Sequence, residues 1–199
     1  MAASHSALLI LDMQNDLVDP AGKVGATGLA AIIEERGVLR TAAGLINAAR
    51  STGVPVLYVG LSYREDYADV LSVAPRIARM KAGQVAVRGS WGSEFHPLVA
   101  PQPGDLVFHK QWVNPFFNTA LQSWLSRQDV RNVALAGVAT NLVVESAARH
   151  ADDAGFAVTV VEDACASPNP AWHDFAVSNI LPVFGAVAKA EQVISGWRA

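Results

Sequence analysis

The sequence has only one cysteine, no cluster of basic residues and no long apolar run. A single cysteine, Cys165, excludes an internal disulfide and a zinc site built from several cysteines. Fifteen Lys and Arg against 18 Asp and Glu give a formal net charge of −3. Because the basic residues are scattered and the apolar runs are strand-sized, we expect no nucleic-acid partner and no membrane anchor. Residues 1–5 lack a signal-peptide pattern, which predicts a cytoplasmic protein.

The alternation of apolar runs and amphipathic segments predicts an α/β fold. A chain of 199 residues with 51% hydrophobic residues can bury one substantial core, so we expect a single domain, residues 1–199. Strands are predicted at 7–11, 54–59, 105–109, 133–137, 156–161 and 186–188. Helices are predicted at 38–50, 118–127 and 170–181, and a weak one at 73–80. This order favours a mostly parallel sheet with helices on both faces.

Residues 132–150 predict a strand, a tight turn and the start of a helix. The helix face is marked by apolar residues at the spacing i, i+3, i+4, i+7 from Val144. Thr140 or Asn141 could cap this helix, leaving first-turn N–H groups free to bind an anion or a developing oxyanion. No residue at positions 140–143, including Val143, is an activated nucleophile.

Three distant positions are predicted to meet at the carboxyl edge of the sheet: Asp12, Lys110 and the turn at 139–143. Ligands of open α/β sheets bind at this edge. Taken singly, each residue is about as plausible in a structural role as in a functional one. The structural role of Asp12 is a helix cap or turn acceptor, and that of Lys110 is a snorkelling edge lysine. Together they predict a site, because a lysine beside a carboxylate orients it and a desolvated carboxylate can act as an acid.

Two segments have no clear regular pattern. Residues 14–28 are punctuated and polar, which predicts a loop or the entry of a lid. Residues 60–90 are expected to be an excursion over the site. The aromatic residues Trp91, Trp112, Phe116 and Phe117 form either an apolar wall for the substrate or a satellite hydrophobic cluster.

The sequence predicts neither a metal site nor a cofactor. The five histidines show no closely spaced pair. Asn15, Asp16 and Asp19 could hold a hard cation, but a solvated loop is the favoured interpretation. Cys165 follows an apolar strand with no base beside it, which favours a small buried hydrophobe over a reactive thiol.

Several motifs in a fixed order resemble the isochorismatase-like hydrolase superfamily, also called the cysteine hydrolase family. They lie at residues 7–16, 91–94, 103–105, 109–110, 116–119, 137–142 and 161–166. The resemblance covers nearly the whole chain. It implies a three-layer α/β/α, Rossmann-like fold and a homo-oligomer, a dimer or a tetramer.

The resemblance also implies roles for particular residues. Amidases of this family use an aspartate, a lysine and a cysteine, which correspond here to Asp12, Lys110 and position 143. Val143 stands where the cysteine is expected, so the covalent route is lost. The family pattern implies a cis peptide at Val138 and Ala139 and an oxyanion hole formed by nearby amides. The residues expected to contact the substrate are Gln14, Trp91, Phe116, Val138, Ala139, Thr140 and Val143.

True isochorismatases, which the family includes, also lack the cysteine and use the aspartate as a general acid. The leading hypothesis is therefore a hydrolase of a small carbonyl- or carboxylate-bearing metabolite, with non-covalent acid–base catalysis by Asp12 and Lys110. One alternative is a catalytically retired member that binds a small molecule or a partner. Another is a lyase or ring-opening enzyme that uses the same pocket.

Overall fold

Six parallel strands form one central sheet in the order β3-β2-β1-β4-β5-β6. The computed structural model describes residues 2–199. The strands are β1 Ser6–Leu11, β2 Val56–Leu61, β3 Leu106–Lys110, β4 Asn132–Val138, β5 Ala157–Ala166 and β6 Ala186–Ala188. Every pairing between neighbours is parallel. The predicted α/β class with a parallel sheet is confirmed.

The helices lie in the connections between strands, except for the last one, which follows β6. The α-helices within residues 2–199 are α1 Asn15–Val18, α2 Leu29–Arg36, α3 Val38–Ser51, α4 Pro75–Ala82, α5 Leu121–Arg127, α6 Glu145–Asp153, α7 Pro170–Phe175 and α8 Ala190–Arg198. One π-helical turn, Thr140–Val144, joins β4 to α6, and another, Ala176–Ile180, follows α7. No helix within residues 2–199 has both the length and the apolar character that crossing a membrane requires.

Successive residues of β1 face opposite sides of the sheet and enter two separate cores. Leu8 and Ile10 belong to one core, whereas Ala7, Leu9 and Leu11 belong to the other. Helices α2, α3 and α8 pack on the first core, and α5 and α6 pack on the second. Because β1 is buried on both faces, an unbroken apolar run is the pattern that this strand requires.

The prediction that residues 14–28 form an exposed, solvated loop is wrong for the first half of the segment. It contains the buried helix α1, and α2, which the sequence did not predict, follows directly. The Asn15 amide donates to the Trp91 carbonyl at 2.9 Å, and the Asp16 carboxylate accepts from the Ala86 N–H at 2.8 Å. The Asn15 side-chain N–H group and the Asp16 carboxylate can be buried because backbone partners 76 and 70 residues away form hydrogen bonds with them.

Asp16 is also packed closely by the segment after α4. A Cβ added at Gly92 would lie 2.1 Å from Asp16 Oδ2, so only glycine allows this approach. Lys23 lies 3.6 Å from the same oxygen and partly balances its charge. Asp16 therefore joins the chain after β1 to the excursion that covers the carboxyl edge of the sheet.

The sequence predicted that Thr140 or Asn141 would cap the helix after β4, but neither side chain does so. The turn after β4 is π-helical and begins without a side-chain cap. The Thr140 hydroxyl is instead 2.8 Å from His173 Nδ1, and Arg36 Nη2 is 2.8 Å from His173 Nε2. Because an arginine can only donate, Nε2 accepts and the proton of the neutral imidazole is on Nδ1, which donates to Thr140. A neutral His173 thus ties α2 and α7 to the turn.

The segment predicted as one helix at 170–181 is divided into α7, a π-helical turn and the short 3₁₀ turn Leu181–Val183. Pro182 lies inside that last turn and has no N–H to continue an α-helical ladder. Strand β5 runs to Ala166, five residues past its predicted end, because it resumes pairing with β4 after a register shift. The spacing of apolar residues in the sequence predicts neither the division of the helix nor the register shift of the strand.

Substitution of two glycines by alanine should change stability in opposite directions. A Cβ at Gly137 would lie 2.4 Å from the Leu11 carbonyl oxygen in the neighbouring strand, so Gly137→Ala should lower the free energy of unfolding by about 1–3 kcal/mol. Gly44 lies on the exposed side of α3 with open space around it, so Gly44→Ala should raise that free energy by about 0.5–1 kcal/mol. Urea unfolding measures both, and a Gly137→Ala protein as stable as the Gly44→Ala protein would contradict the close packing of β1 and β4.

His173 should make folding stability depend on pH near neutrality. Its burial and the charge of Arg36 lower the pKa of His173 below the ordinary 6.5, against the opposing charges of Glu162 and Asp174. The folded state then binds fewer protons than the unfolded state, so the contribution is complete above about pH 6.5 and is lost as the pH falls through the folded pKa. His173→Gln keeps an acceptor for Arg36 and should lose less stability than the unaltered protein between about pH 7.5 and 5.5. Equal losses in urea unfolding would show that His173 is not the titrating group.

Candidate functional site

Asp12 and Lys110 form a buried ion pair at the carboxyl edge of the sheet. Asp12 directly follows β1, and Lys110 is the last residue of β3, with β2 between the two strands. Lys110 Nζ lies 2.8 Å from Asp12 Oδ2, and the lysine side chain is fully buried. The two residues are 98 positions apart in sequence, and the structure brings them together where the sequence placed them.

The backbone of Asp12 turns sharply out of the sheet. Its φ is 56°, in the left-handed region that aspartate tolerates better than most residues. The Asp12 N–H still donates to the Val59 carbonyl of β2 at 2.9 Å, and its carbonyl accepts from the Gln14 N–H at 2.9 Å. The side chain is therefore fixed at the strand end by its own backbone and by Lys110.

The two partners have opposed influences on their pKa values. Burial raises the pKa of Asp12 above its ordinary value, while the charge and hydrogen bond of Lys110 act to lower it. Burial likewise lowers the pKa of Lys110, and Asp12 acts to raise it. Burial therefore brings the two pKa values closer together. As a result, the ion pair and the neutral pair, in which the proton has moved from Lys110 to Asp12, differ less in free energy.

The two oxygens of Asp12 have different surroundings. Oδ2 accepts from Lys110 Nζ, which also donates to the Trp112 carbonyl at 2.9 Å. Oδ1 is buried and has no hydrogen-bond partner in the described part of the chain. An unpaired buried carboxylate oxygen is unfavourable unless a ligand or a water donates to it.

A cavity of about 150 Å³ opens beside this pair. Most of its wall is apolar. The residues that line it are Asp12, Leu17, Val24, Leu29, Leu61, Tyr63, Arg76, Met80, Lys110, Trp112, Val113, Val138, Ala139, Leu142, Val143 and Pro168. A small apolar cavity with a few convergent polar groups is the usual form of a small-molecule site.

The turn after β4 supplies one part of the wall. Val138, Ala139 and Val143, three of the residues predicted to contact the substrate, line the cavity. The peptide bond between Val138 and Ala139 is cis, as the family resemblance implied. Three nearby N–H groups are already used within the protein. Asn141 donates to Ser167 Oγ at 3.4 Å, while Leu142 and Val144 donate to the Ala139 carbonyl. These three amides are therefore not free to bind an anion.

Gln14 and Thr140 lie outside the cavity wall. The Gln14 amide donates to the Leu61 and Ser93 carbonyls at 2.7 Å each, and its oxygen accepts from the Leu61 N–H at 2.7 Å. Its hydrogen bonds join β2 to the segment after α4. Thr140 is fully buried against His173. Both side chains are buried next to the site and do not line the cavity.

The two aromatic residues predicted to contact the substrate also lie elsewhere. Phe116 is buried and stacks on His150 with ring centroids 4.7 Å apart. Trp91 is half-exposed at the start of a short 3₁₀ turn and does not line the cavity. Of the four loop aromatics in the predicted apolar wall, Trp112 is the one that lines the cavity.

The cavity residues that were not predicted from the sequence include Tyr63, Arg76 and Met80. They come from the excursion at 60–90, in which the sequence showed only weak periodicity. Arg76 and Met80 lie one turn apart on α4. The one available signal was the helical spacing of these two residues after Pro75.

No thiol and no serine or threonine hydroxyl lines the cavity within residues 2–199. Cys165 is fully buried in the core beneath β4 and β5, and burial raises the pKa of its thiol to about 12. It is a small buried hydrophobe, as predicted. Within the same residues, no three His, Cys, Asp or Glu side chains cluster in a way that could hold a metal ion.

Comparison with known proteins identifies the family. The Isochorismatase domain matches residues 6–192. A ureidoacrylate amidohydrolase (RutB) of Azorhizobium caulinodans is 30% identical over 201 residues, which cover 94% of this chain and 88% of that protein. The protein of the same name from Caulobacter segnis is 31% identical over 196 residues, covering 92% and 82%.

A solved structure agrees with these matches. An isochorismatase family protein of Burkholderia thailandensis is 31% identical and superposes with a TM-score of 0.78 over 98% of this chain and 96% of that one. Both the sequence and the fold are thus shared along nearly the full length. The chain belongs to the isochorismatase family and is a hydrolase of small molecules.

Proposed function

We propose that the chain hydrolyses a small carbonyl- or carboxylate-bearing metabolite by acid–base catalysis and forms no covalent intermediate. Asp12 transfers the proton, Lys110 orients and polarises Asp12, and water is the nucleophile. The relatives named as ureidoacrylate amidohydrolases make a C–N bond beside a carbonyl the first bond type to test. The homo-oligomer and the cytoplasmic location expected from the sequence stay predictions.

The observation that supports this proposal most directly is the unpaired Oδ1 of Asp12. Lys110 holds the other oxygen, so the carboxyl group cannot rotate freely. Oδ1 belongs to a residue that lines the cavity and has no other partner. A water or substrate that donates a hydrogen bond there would be held at proton-transfer distance.

In an amide or ureide, the reaction consumes one water and breaks one C–N bond. Asp12 Oδ1 takes a proton as the water oxygen adds to the carbonyl carbon. The same carboxyl group then returns the proton to the leaving nitrogen as the C–N bond breaks. A carboxyl group whose pKa is raised by burial suits both steps, because it is a stronger base than an ordinary aspartate and still gives up its proton.

Water is assigned as the nucleophile because the wall offers no better one. Val143 presents only methyl groups at the position where the family's amidases carry a cysteine. Cys165 is fully buried, and its raised pKa keeps it protonated. Covalent catalysis would therefore need a group that the cavity does not supply.

Loss of the Asp12 proton-transfer group should abolish turnover. We expect Asp12→Asn to reduce turnover of the best compound in a panel of 3-ureidoacrylate, linear amides and enol ethers by at least about 100-fold. Product mass measures the reaction and separates hydrolysis from a lyase or ring-opening step, since only hydrolysis adds water. Asp105→Asn is the matched control, because Asp105 is also a mostly buried carboxylate in an ion pair, with Arg50, but lies outside the cavity wall, so its loss should leave turnover unchanged. An Asp12→Asn protein that turns over at the unaltered rate would refute the assignment. No turnover of any compound by the unaltered chain would favour the retired, ligand-binding alternative.

The protein should stay covalently unmodified during turnover. When the reaction with the same compound is quenched in acid, the intact mass of the unaltered chain should equal that of the free protein, because Val143 cannot form an ester or thioester. Val143→Cys provides the matched positive control, since a thiol at that cavity position could be acylated. Detection of an acyl adduct on the unaltered chain would show that another residue is a nucleophile and would contradict the non-covalent route.

A further inference from the structure

The cavity has one charge that the protein does not balance. Within residues 2–199, the side chains in its wall that can carry a full charge near neutral pH are Asp12, Lys110 and Arg76. Asp12 and Lys110 sum to zero whether they exist as an ion pair or as a neutral pair. The cavity therefore keeps the single positive charge of Arg76, whose guanidinium stays protonated in proteins.

Arg76 has few partners within the protein. Its side-chain hydrogen bond is a long one, 3.5 Å from Nη1 to Ser72 Oγ. No carboxylate of residues 2–199 lies within 4.0 Å of its guanidinium. Most of its donor groups are therefore available to a ligand, although Arg76 is half-buried in a mainly apolar wall.

Arg76 lines the same cavity as Lys110 and Tyr63, and its charge acts on both. Its charge acts to lower the pKa of Lys110, and it acts in the same direction on Tyr63. The Tyr63 hydroxyl has only a weak acceptor, Met80 Sδ at 3.6 Å, and burial raises the pKa of this phenol, so it remains a donor. Arg76 and Tyr63 both line the cavity, which therefore contains a cationic fork and a neutral hydroxyl.

We propose that Arg76 binds a carboxylate of the substrate and selects monoanionic, flat or apolar acids over their neutral analogues. A guanidinium and a carboxylate form two parallel charge-assisted hydrogen bonds, which fix the orientation of the acid. In the turn after β4, the N–H groups of Asn141, Leu142 and Val144 cannot take this role, because they already donate within the protein. This inference rests on the proposed function in taking the cavity as the substrate site.

Binding of a matched pair of probes tests the proposal without any turnover. Benzoate and benzamide have nearly the same shape and differ in charge. By isothermal titration calorimetry, the unaltered protein should bind benzoate about tenfold more tightly than benzamide, the range expected for hydrogen bonds to a charged group. Arg76→Met should remove this preference, and Arg76→Lys, which keeps the charge but loses the fork, should retain part of it.

Arg79→Met is the matched control. Arg79 lies on the same helix three residues later, is exposed and does not line the cavity, so its loss should leave the preference for benzoate unchanged. Equal binding of the two probes by the unaltered protein, no binding of benzoate, or a preference that survives in Arg76→Met would each overturn the proposal. A preference that depends on Arg76 in a protein that turns over no panel compound would instead leave the carboxylate site standing and refute the proposed hydrolysis.

Discussion

The buried pair of Asp12 and Lys110 is the interaction on which the architecture of the site depends. Removing two charges from water costs several kcal/mol for each ion, so neither residue could be buried here alone. The sheet order places β3, β2 and β1 side by side, which lets Lys110 reach across the end of β2 to Asp12. Any change in that order or register would leave an unpaired charge in the core.

The excursion over the sheet edge is built to keep this pair away from solvent. Gln14 joins the end of β2 to the segment that follows α4, and Asp16 holds the same region by accepting from Ala86. Neither side chain faces the cavity. Their effect is to hold α4, and with it Arg76, above the pair, so residues that contact no substrate still determine the shape of the site.

The cavity combines three physical properties that together restrict its ligand. Its walls exclude charged and strongly hydrated molecules from most of the surface. The Asp12 and Lys110 pair can exchange a proton without a change of net charge. Arg76 adds one positive charge that a monoanion would neutralise. A small acid with an apolar or planar body satisfies all three conditions, whereas a neutral molecule leaves the charge of Arg76 uncompensated.

Sequence patterns predicted the sheet and the central pair because both depend on local features. Apolar runs mark the buried strands, and a charged residue at the end of a parallel strand marks the sheet edge. The buried positions of Asn15 and Asp16 could not be predicted in this way, because their partners lie 76 and 70 residues along the chain. The same limit explains Thr140, whose expected cap role was displaced by His173. Arg76 escaped because Ile77 is the one buried residue of its helix, so few apolar positions show which face is turned toward the site.

The most direct test of this account is the pKa of Asp12 itself, measured by ¹³C NMR titration of its carboxyl carbon and assigned by the signal lost in Asp12→Asn. The pKa of Asp12 should lie above the ordinary 3.8, because burial outweighs the charge of Lys110. In Lys110→Met, in which the opposing charge is gone, this pKa should rise further. An Asp12 that titrates at or below 3.8 and does not respond to Lys110→Met would contradict the buried, coupled pair on which the proposed proton transfer depends.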